Sequence, residues 1–523
     1  MTLPATPFAA IPMLLLSPAE SDLRRFLEEA YDLAVQYPSI LGLIDADLDA
    51  HGLRKKTLRR ADRQWREAHT ETLPGHKVEP AVTAPETLGQ GRPRTPAFLV
   101  LVALLLRGYF GEGFKACGAA TVMLESTTLM VLLANMGAPR PRASTLTELV
   151  NAVTNTTRQR LLDAQIALVL KLRWDDFTLF LQDSTHVEGN TAWPTDSRLM
   201  VALVERMLRM GAALPRLGLP AIELPKVRRH LAVMMDLDRE IDMTRGTKEG
   251  ARARRRRYEK LLWRAHRARH AFDRAVASIE AALAALDVLP SRLAMATRAV
   301  TQLRSDVSSL ATVIANCEAR VIDGEKVAMA DKKLSVSDAD VGFIAKGQRD
   351  PVIGYKPQLA RSGAGFITGL LLPQGNAADS GQLVPMVEEV IRRTTVVPDV
   401  VSVDDGYASQ ANRDALRARG IKVVSINGSK GKALTARADW NSDAYVDARD
   451  MRSAVESLMF TLKQGFDFGE VARRGLGAVH GELLEKALAY NLCHMVRVRR
   501  ALATLDDEID DEIDDVEPLA VAA

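Results

Sequence analysis

Two apolar runs, far apart in the chain, each lead into an aspartate. In the first, residues 177–181, apolar side chains alternate with polar or opposite-face positions, and Asp183 follows. The second, residues 396–403, is rich in β-branched side chains and is followed by Asp404. Both patterns predict a buried strand with a carboxylate at its end. Such a carboxylate either caps a turn or requires a cation, because burying an unpaired charge is costly.

The second half of the chain has the periodicity of an α/β sheet. From residue 334 onwards, apolar positions recur every two residues in short segments separated by Gly, Asp and Ser. Strands are predicted over residues 341–344, 354–360, 365–372, 396–403 and 421–426, with helices over 382–393, 410–419 and about 447–500. Strands that alternate with helices at this spacing predict an α/β fold.

The first part of the chain is predicted to be helical. Ser17–Glu20 combines a Ser cap, Pro in the first turn and a following Glu, which is a typical helix start. Pro and Gly residues mark a linker over 73–96, and a capping-box pattern at Thr145–Glu148 predicts another helix start. The short helices of residues 96–172 fit either a helix-turn-helix DNA-binding unit or a plain helical bundle.

A long helical segment, about residues 199–323, separates the two aspartates. Its first half carries the basic run of Arg252 and Arg254 to Arg257, and its second half has apolar residues at a strict 3-4 spacing that predicts a coiled-coil seam. The seam residues are Val300, Leu303, Val307, Leu310, Ile314, Cys317 and Val321. Pro290 between the halves favours an antiparallel intramolecular hairpin over an oligomer contact. The run that includes Arg254, Arg255, Arg256 and Arg257 fits either DNA phosphates or a solvated helix face.

Charge is unevenly distributed. The 523 residues carry a net charge of +3, but residues 506–517 hold nine acids and no base, so the rest of the chain carries +12. A basic body with an acidic tail is typical of nucleic-acid-binding proteins. The tail itself is predicted to be disordered.

Several other classes of protein are disfavoured. The cysteines at 117, 317 and 493 form no CxxC pair, so neither a zinc site nor a disulfide scaffold is predicted, and a reducing compartment, the cytoplasm, is favoured. The longest apolar run, residues 98–106, is too short to span a bilayer. The N-terminus has no basic region before its apolar run, so secretion is not expected.

A third acid, Glu456, falls in the last predicted helical block. Arg452 lies four residues before it and Lys463 seven after it, so the three side chains share one side of a helix. Alone, this pattern fits a surface salt-bridge ladder. Together with Asp183 and Asp404 it favours a site, because α/β sheets present their sites at strand ends. Acids without His or Cys suit Mg²⁺ or Mn²⁺, and two such ions can drive phosphodiester displacement.

The acids lie in blocks that resemble those of DDE transposases of bacterial insertion sequences. The blocks are DSTHVEGN followed by WPTDSRL, then SVDDGYAS, then RSAVESLMFTLKQGF. In that family the second acid belongs to an Asp-x-Gly-Tyr motif. Asp404, Gly406 and Tyr407 match it, so the resemblance selects Asp404 over Asp405.

The third block of many relatives is Tyr-x2-Arg-x3-Glu-x6-Lys, and Arg452, Glu456 and Lys463 match its spacing. At the Tyr position this chain has Arg449, with Tyr445 four residues away. The segment RRGLGAVHGELLEKALAYNLCHM also resembles the closing segment of the family. The resemblance covers roughly residues 96–500.

The resemblance implies a ribonuclease H-like core and a reaction. Asp183, Asp404 and Glu456 would be the catalytic residues and would bind two Mg²⁺ ions, which Mn²⁺ can replace. Arg452 and Lys463 would hold DNA phosphates. The enzyme would cut double-stranded DNA at transposon ends and transfer the freed 3′-hydroxyl to target DNA, acting as a homodimer in the bacterial nucleoid.

The expected fold class is α/β, with a ribonuclease H-like mixed sheet flanked by helices, an all-helical N-terminal region and a long helical insertion between the first and second acids. The expected parts are an N-terminal helical region and linker (1–95), a helical, possibly DNA-binding domain (96–172), a catalytic core (173–198 and 331–500) around the insertion (199–330), and an acidic tail (501–523). A metal-dependent nuclease without strand transfer and a non-enzymatic DNA-binding protein are the alternatives.

Overall fold

The structure is a computed structural model that describes residues 16–69, 95–110, 125–345 and 350–514, together with Leu3 and Phe8. Most of the linker predicted over 73–96 lies outside the described residues. The chain forms two compact units. The sheet unit comprises residues 1–49, 92–190 and 344–523, and the helical unit comprises residues 50–91 and 191–343.

The helices and strands are named in chain order. The helices are α1 (Pro18–Gln36), α2 (Ser39–His69), α3 (Ala97–Phe110), α4 (Thr127–Asn135), α5 (Ala143–Ala152), α6 (Asn155–Lys171), α7 (Asp196–Ala213), α8 (Pro225–Asp242), α9 (Lys248–Ala284), α10 (Pro290–Cys317), α11 (Leu383–Thr394), α12 (Gln410–Ala418), α13 (Ser429–Leu434), α14 (Arg437–Trp440), α15 (Asp443–Asp450), α16 (Ser453–Gly465) and α17 (Leu476–Asp514). The strands are β1 (Leu179–Ser184), β2 (Val187–Glu188), β3 (Gly342–Ile344), β4 (Val352–Tyr355), β5 (Gln358–Ser362), β6 (Ile367–Leu371), β7 (Val400–Asp404) and β8 (Val423–Asn427).

The sheet unit is built on a five-stranded mixed sheet with the order β6-β5-β1-β7-β8. β1 is antiparallel to β5 and parallel to β7, β5 is antiparallel to β6, and β7 is parallel to β8. The prediction of an α/β fold is confirmed, and this mixed sheet is compatible with a ribonuclease H-like domain. Helix α11 packs on the sheet and, with Phe180, Val401 and Ile426, forms a buried core.

The strand predicted over 354–360 is wrong, because the structure has two strands there, β4 and β5. Lys356 and Pro357 separate them. Pro357 has no N–H to donate to a ladder, and its carbonyl accepts a hydrogen bond from the Thr185 N–H at 3.1 Å.

Two helix boundaries also differ from prediction, whereas the start at Ser17 is confirmed: its hydroxyl accepts from the Glu20 N–H. Helix α5 begins at Ala143 rather than at the capping-box residues, because the Leu146 N–H already closes a turn on the carbonyl of Arg142. The block predicted as one helix over 447–500 is broken into parts of α15, α16 and α17. Helix α17 continues to Asp514, into the segment that was expected to be disordered.

The helical unit is a bundle whose centre is the antiparallel hairpin of α9 and α10. Arg304 contacts Glu280 at 2.9 Å near the hairpin turn, and His266 contacts Glu318 at 2.7 Å further from it. The predicted seam is confirmed: its residues from Val300 to Cys317 are buried, and Val321 is partly buried. The hairpin is not alone, since α7 and α8 contribute to the same core.

Among the residues that the structure describes, none of the helices combines the length and apolar character needed to cross a membrane.

Candidate active site

Asp183 lies near the end of the central strand of the five-stranded sheet. It is buried, and it pairs with Leu359 of β5 across the antiparallel ladder. One of its carboxylate oxygens accepts a hydrogen bond from the Ser184 N–H at 2.7 Å. The flanking residues Phe180 and Leu181 are buried as well, so the apolar pattern of the sequence leads this carboxylate into the core of the sheet.

Asp404 is the last residue of the neighbouring parallel strand β7. Its carboxylate accepts a hydrogen bond from the Gly406 N–H at 2.9 Å, which closes a tight turn. The register pairs Leu181 with Ser402. Asp183 and Asp404 each follow two residues later, so they lie side by side and on the same face as that pair. Parallel strands therefore bring together two acids that are 221 positions apart in the sequence.

The adjacent acid, Asp405, has different hydrogen-bond partners from those of Asp404. Its carboxylate accepts hydrogen bonds from the Gly431 N–H at 2.9 Å and the Lys430 N–H at 3.3 Å, at the start of α13. Burial opposes its negative charge, but these hydrogen bonds outweigh burial and lower the pKa of Asp405. Asp405 thus joins the β7 turn to α13, whereas Asp404 lies beside Asp183.

Tyr407, which the sequence marked only as a motif residue, is buried directly behind the two aspartates. Its hydroxyl donates a hydrogen bond to Gln358 of β5. Burial, and after it the charges of Asp379, Asp183 and Asp404, raise the pKa of Tyr407 well above its ordinary value. The hydroxyl of Tyr407 therefore lies near three carboxylates, of which Asp379 is paired with Lys356.

Asp379 was not found by sequence reasoning. It accepts a hydrogen bond from the Gln358 amide at 2.7 Å, and Lys356 pairs with it at 2.9 Å. Lys356 lies between β4 and β5, and Gln358 is the first residue of β5, so both partners are more than twenty residues from Asp379 in the chain. Nothing in the local sequence around Asp379 predicts this contact, which depends on how β5 and β6 are paired.

Glu456 lies in the first turn of α16, which packs beside β1. Its side chain is 57% exposed and forms an ion pair with Arg452 at 2.9 Å. Another terminal nitrogen of Arg452 lies 3.9 Å from Asp183. Arg452 immediately precedes α16 rather than lying within a continuous helix, and its guanidinium links the predicted first and third acids.

The other predicted DNA-binding residues have separate environments. Lys463 is half-buried in α16, two turns after Glu456. In the helical unit, Arg254 donates to the carbonyl of Thr244 at 2.8 Å, and Arg257 pairs with Glu240 at 2.7 Å. Arg255 pairs with Glu259 at 3.3 Å, whereas Arg256 is exposed. The basic run therefore does not present one uniform surface.

Tyr445, the tyrosine nearest to the third block, has a structural role. It is buried in α15, and its hydroxyl accepts a hydrogen bond from the backbone N–H of Ile426 in β8 at 3.0 Å. Arg449, which stands at the family's Tyr position, lies over the Trp440 ring at 4.8 Å.

The structure brings together two of the three predicted acids. Within the described residues, no group of three or more His, Cys, Asp or Glu side chains could hold a metal ion. Asp183 and Asp404 are adjacent, while Glu456 is directed to Arg452. Carboxylate oxygens are the ligands that Mg²⁺ and Mn²⁺ prefer, and Asp183 and Asp404 offer such oxygens at neighbouring strand ends. These two aspartates therefore suit a divalent ion, whereas the contact of Glu456 in this structure is its ion pair with Arg452.

Comparison with known proteins gives one family match. Residues 318–492, about a third of the chain, match the family model described as the transposase DDE domain. This match confirms the resemblance seen in the sequence: over these residues the chain carries the DDE domain of transposases. The domain supports a transposase function in general terms and implies a DNA substrate. No curated protein and no solved structure matches the chain.

The matched residues include Asp404, Arg452, Glu456 and Lys463, and they do not include Asp183. Asp183 is connected to the matched segment through the sheet, since β1 lies between β5 and β7.

Proposed function

We propose that this chain is a DNA transposase that cleaves DNA at transposon ends and transfers the freed ends into target DNA. Asp183, Asp404 and Glu456 are its catalytic acids. The observation that supports the proposal is the register of β1 and β7, in which Leu181 pairs with Ser402, two residues before Asp183 and Asp404. The transposase DDE domain match over residues 318–492 supports the same reading.

In this proposal Asp183, Asp404 and Glu456 would hold two Mg²⁺ ions, with Glu456 released from its ion pair with Arg452. When bound, the ions supply the acidity that activates a water or 3′-hydroxyl and the positive charge that stabilises the leaving oxygen. The released guanidinium of Arg452 and the ammonium of Lys463 hold the phosphates beside the cut. Tyr407 and Gln358 keep the edge of the sheet rigid behind the acids.

We also propose a domain organisation for the chain. Residues 173–198 and 331–500 form the catalytic core, and residues 199–330 are an insertion between the first and second acids. Residues 96–172 contribute to DNA binding. Transposition joins two DNA ends, so the protein would act as a homodimer on double-stranded DNA.

The test is a cleavage and joining assay on supercoiled DNA that carries the element's flanking sequences, with Mg²⁺. Wild type is compared with Asp183→Asn, Asp404→Asn and Glu456→Gln, and with Asp399→Asn as the matched control. Asp399 is an exposed residue that pairs with Lys422 at 3.0 Å. The proposal predicts end cleavage and joined products that disappear in the three acid variants and persist in the control. Cleavage without joined products would identify a nuclease instead, and unchanged activity in all variants would exclude these acids.

A further inference from the structure

Helix α9 presents a long basic ridge that the predicted active site does not explain. The ridge consists of Arg252, Arg256, Lys260, Trp263, Arg267 and Arg274. These residues follow one another at intervals of three, four or seven, so they lie along one face of the helix. All of them are exposed. At a rise of about 1.5 Å per residue, the ridge is about 33 Å long.

The opposite face of α9 anchors the ridge. That face is buried in the core of the helical unit through Tyr258, Leu261, Leu262, Ala265, Ala268, Phe272, Val276 and Ile279. The ridge is therefore a rigid surface on a well-packed helix.

The charge of the ridge is not neutralised by neighbouring acids. Within the part of the chain that the structure describes, none of its five cations has a carboxylate within ion-pairing distance. Of the acids along α9, Glu259 and Asp273 pair with Arg255 and Arg304 instead, and Glu249, three residues before Arg252, forms no ion pair among the described residues. A solvated helix face usually alternates charges of both signs, whereas between Arg252 and Arg274 the face of the ridge carries five cations and no acid.

An exposed tryptophan lies at the middle of this positive surface. Trp263 is 48% exposed, and the guanidinium of Arg267 lies 4.9 Å from its ring centre. Arg264 lies over the same ring at 5.4 Å, and His230 of α8 meets it edge-on at 5.6 Å. Burial, followed by the charges of Arg264, Arg267 and Arg229, lowers the pKa of His230, which shows how strongly positive the surroundings are.

We propose that the ridge of α9 binds the phosphate backbone of double-stranded DNA. Its length of about 33 Å matches about one helical turn of B-DNA. Its cations, four guanidinium groups and the ammonium group of Lys260, are spaced along the helix and suit phosphate oxygens. Trp263 adds a flat apolar surface between them. The inference rests on the proposed function, from which DNA follows as the partner. It assigns the DNA contact to one exposed face of α9 rather than to the consecutive residues Arg254–Arg257.

The test is equilibrium binding of the full chain to a labelled DNA duplex, without divalent metal, over a range of salt concentrations. The ridge variant combines Arg256→Gln, Lys260→Gln and Arg267→Gln. The control variant combines Arg239→Gln, Arg304→Gln and Arg320→Gln, which removes the same charge at arginines that are already paired. Thermal unfolding of both variants checks that the fold is retained.

The ridge predicts that its variant binds at least about 10-fold more weakly, and that the slope of log affinity against log salt falls by about 2 to 3. The control variant should keep the wild-type slope. Equal slopes of log affinity against log salt for the two variants would contradict DNA binding by the ridge. This outcome does not depend on whether wild type cleaves DNA or on whether the acid variants fail to cleave it. The two proposals can therefore fail separately. An RNA duplex that binds as tightly, with the same loss in the ridge variant, would overturn DNA as the partner.

Discussion

Arg452 and Glu456 form an ion pair at 2.9 Å at the start of α16, and the same guanidinium approaches Asp183 to 3.9 Å. One planar, forked cation thus reaches two acids that belong to different elements. Lysine is a point charge and cannot serve both positions.

Arg452→Lys is expected to slow DNA cleavage by about one to two orders of magnitude, because a point charge cannot form the two parallel bonds to a phosphate that the released guanidinium would form. Single-turnover cleavage of a labelled transposon end would measure it. Arg392→Lys, an equivalent change at a surface arginine paired with Asp163 and Glu389, should leave the rate unchanged. Equal cleavage rates for Arg452→Lys and wild type would show that the planar guanidinium group of Arg452 is not required for DNA cleavage.

Substitutions of the neighbouring residues Asp404 and Asp405 are expected to have different effects, the first on metal binding and the second on the stability of the fold. Asp405→Ala removes the hydrogen bonds to Lys430 and Gly431, and is expected to cost about 1 kcal/mol in the free energy of unfolding, as for other helix caps. It should retain Mn²⁺ binding, which Asp404→Ala should lose. Denaturant unfolding and a metal titration would measure the two properties. Loss of Mn²⁺ binding in Asp405→Ala alone would assign the second acid to Asp405.

A buried charge cluster should make the stability of the sheet unit depend on pH. Glu485 is buried with Arg107, Arg158 and Arg473 around it. Burial raises its pKa, but the three guanidinium groups outweigh burial and lower the pKa to about 2. A folded-state pKa below the unfolded one stabilises the protein above about pH 4.5, and this contribution is lost as the pH falls towards 2.

Glu485→Gln should therefore destabilise the protein at pH 7 by about 3–5 kcal/mol, because it leaves three buried or half-buried arginines without their carboxylate. The difference from wild type should narrow as the pH falls below about 4.5. Denaturant unfolding at a series of pH values would show this. Glu259→Gln, at an exposed pair with Arg255, should change stability by less than about 1 kcal/mol. A pH-independent difference for Glu485→Gln would contradict the charge cluster.

The helical unit contains a polar interruption in its apolar seam. Asp306 of α10 is buried and pairs with Arg206 of α7 at 2.7 Å, and Gln302 donates to it at 2.8 Å. Arg206→Leu, which leaves Asp306 buried without its cation, should cost about 3–5 kcal/mol. The double change Arg206→Leu with Asp306→Leu should cost less than the single change, as measured by denaturant unfolding. A double variant that is no more stable than Arg206→Leu would contradict this expectation.

The sequence predicted most of the elements that carry the acids. Apolar runs located β1 and β7, and the 3-4 spacing located the hairpin of α9 and α10. Local patterns were sufficient there because each strand or helix buries one continuous face. They were insufficient at Lys356 and Pro357, where a predicted strand is divided in two, and at Arg452, where a predicted helix is interrupted.

The candidate site was predicted only in part, because its geometry depends on long-range pairing. The motif selected Asp404, and the structure supplies the reason in the capping role of Asp405. Asp379 and Gln358 come together only through the pairing of β5 with β1 and β6, which no local spacing reveals. Similarly, the run Arg254–Arg257 looked uniform in sequence, and only the contacts made by the end of α8 and the residues after it separate Arg254 and Arg257 from the exposed Arg255 and Arg256.

The most direct test of the central claim, that Asp183 and Asp404 form one metal site, is Mn²⁺ binding measured by electron paramagnetic resonance. Wild type is compared with Asp183→Asn, Asp404→Asn, the double variant and the control Asp399→Asn. A shared metal site predicts that each single change weakens binding by about 10-fold or more, that the double variant is little worse than either single variant, and that the control binds as wild type does. Wild-type affinity in both single variants would contradict a shared metal site at this edge of the sheet.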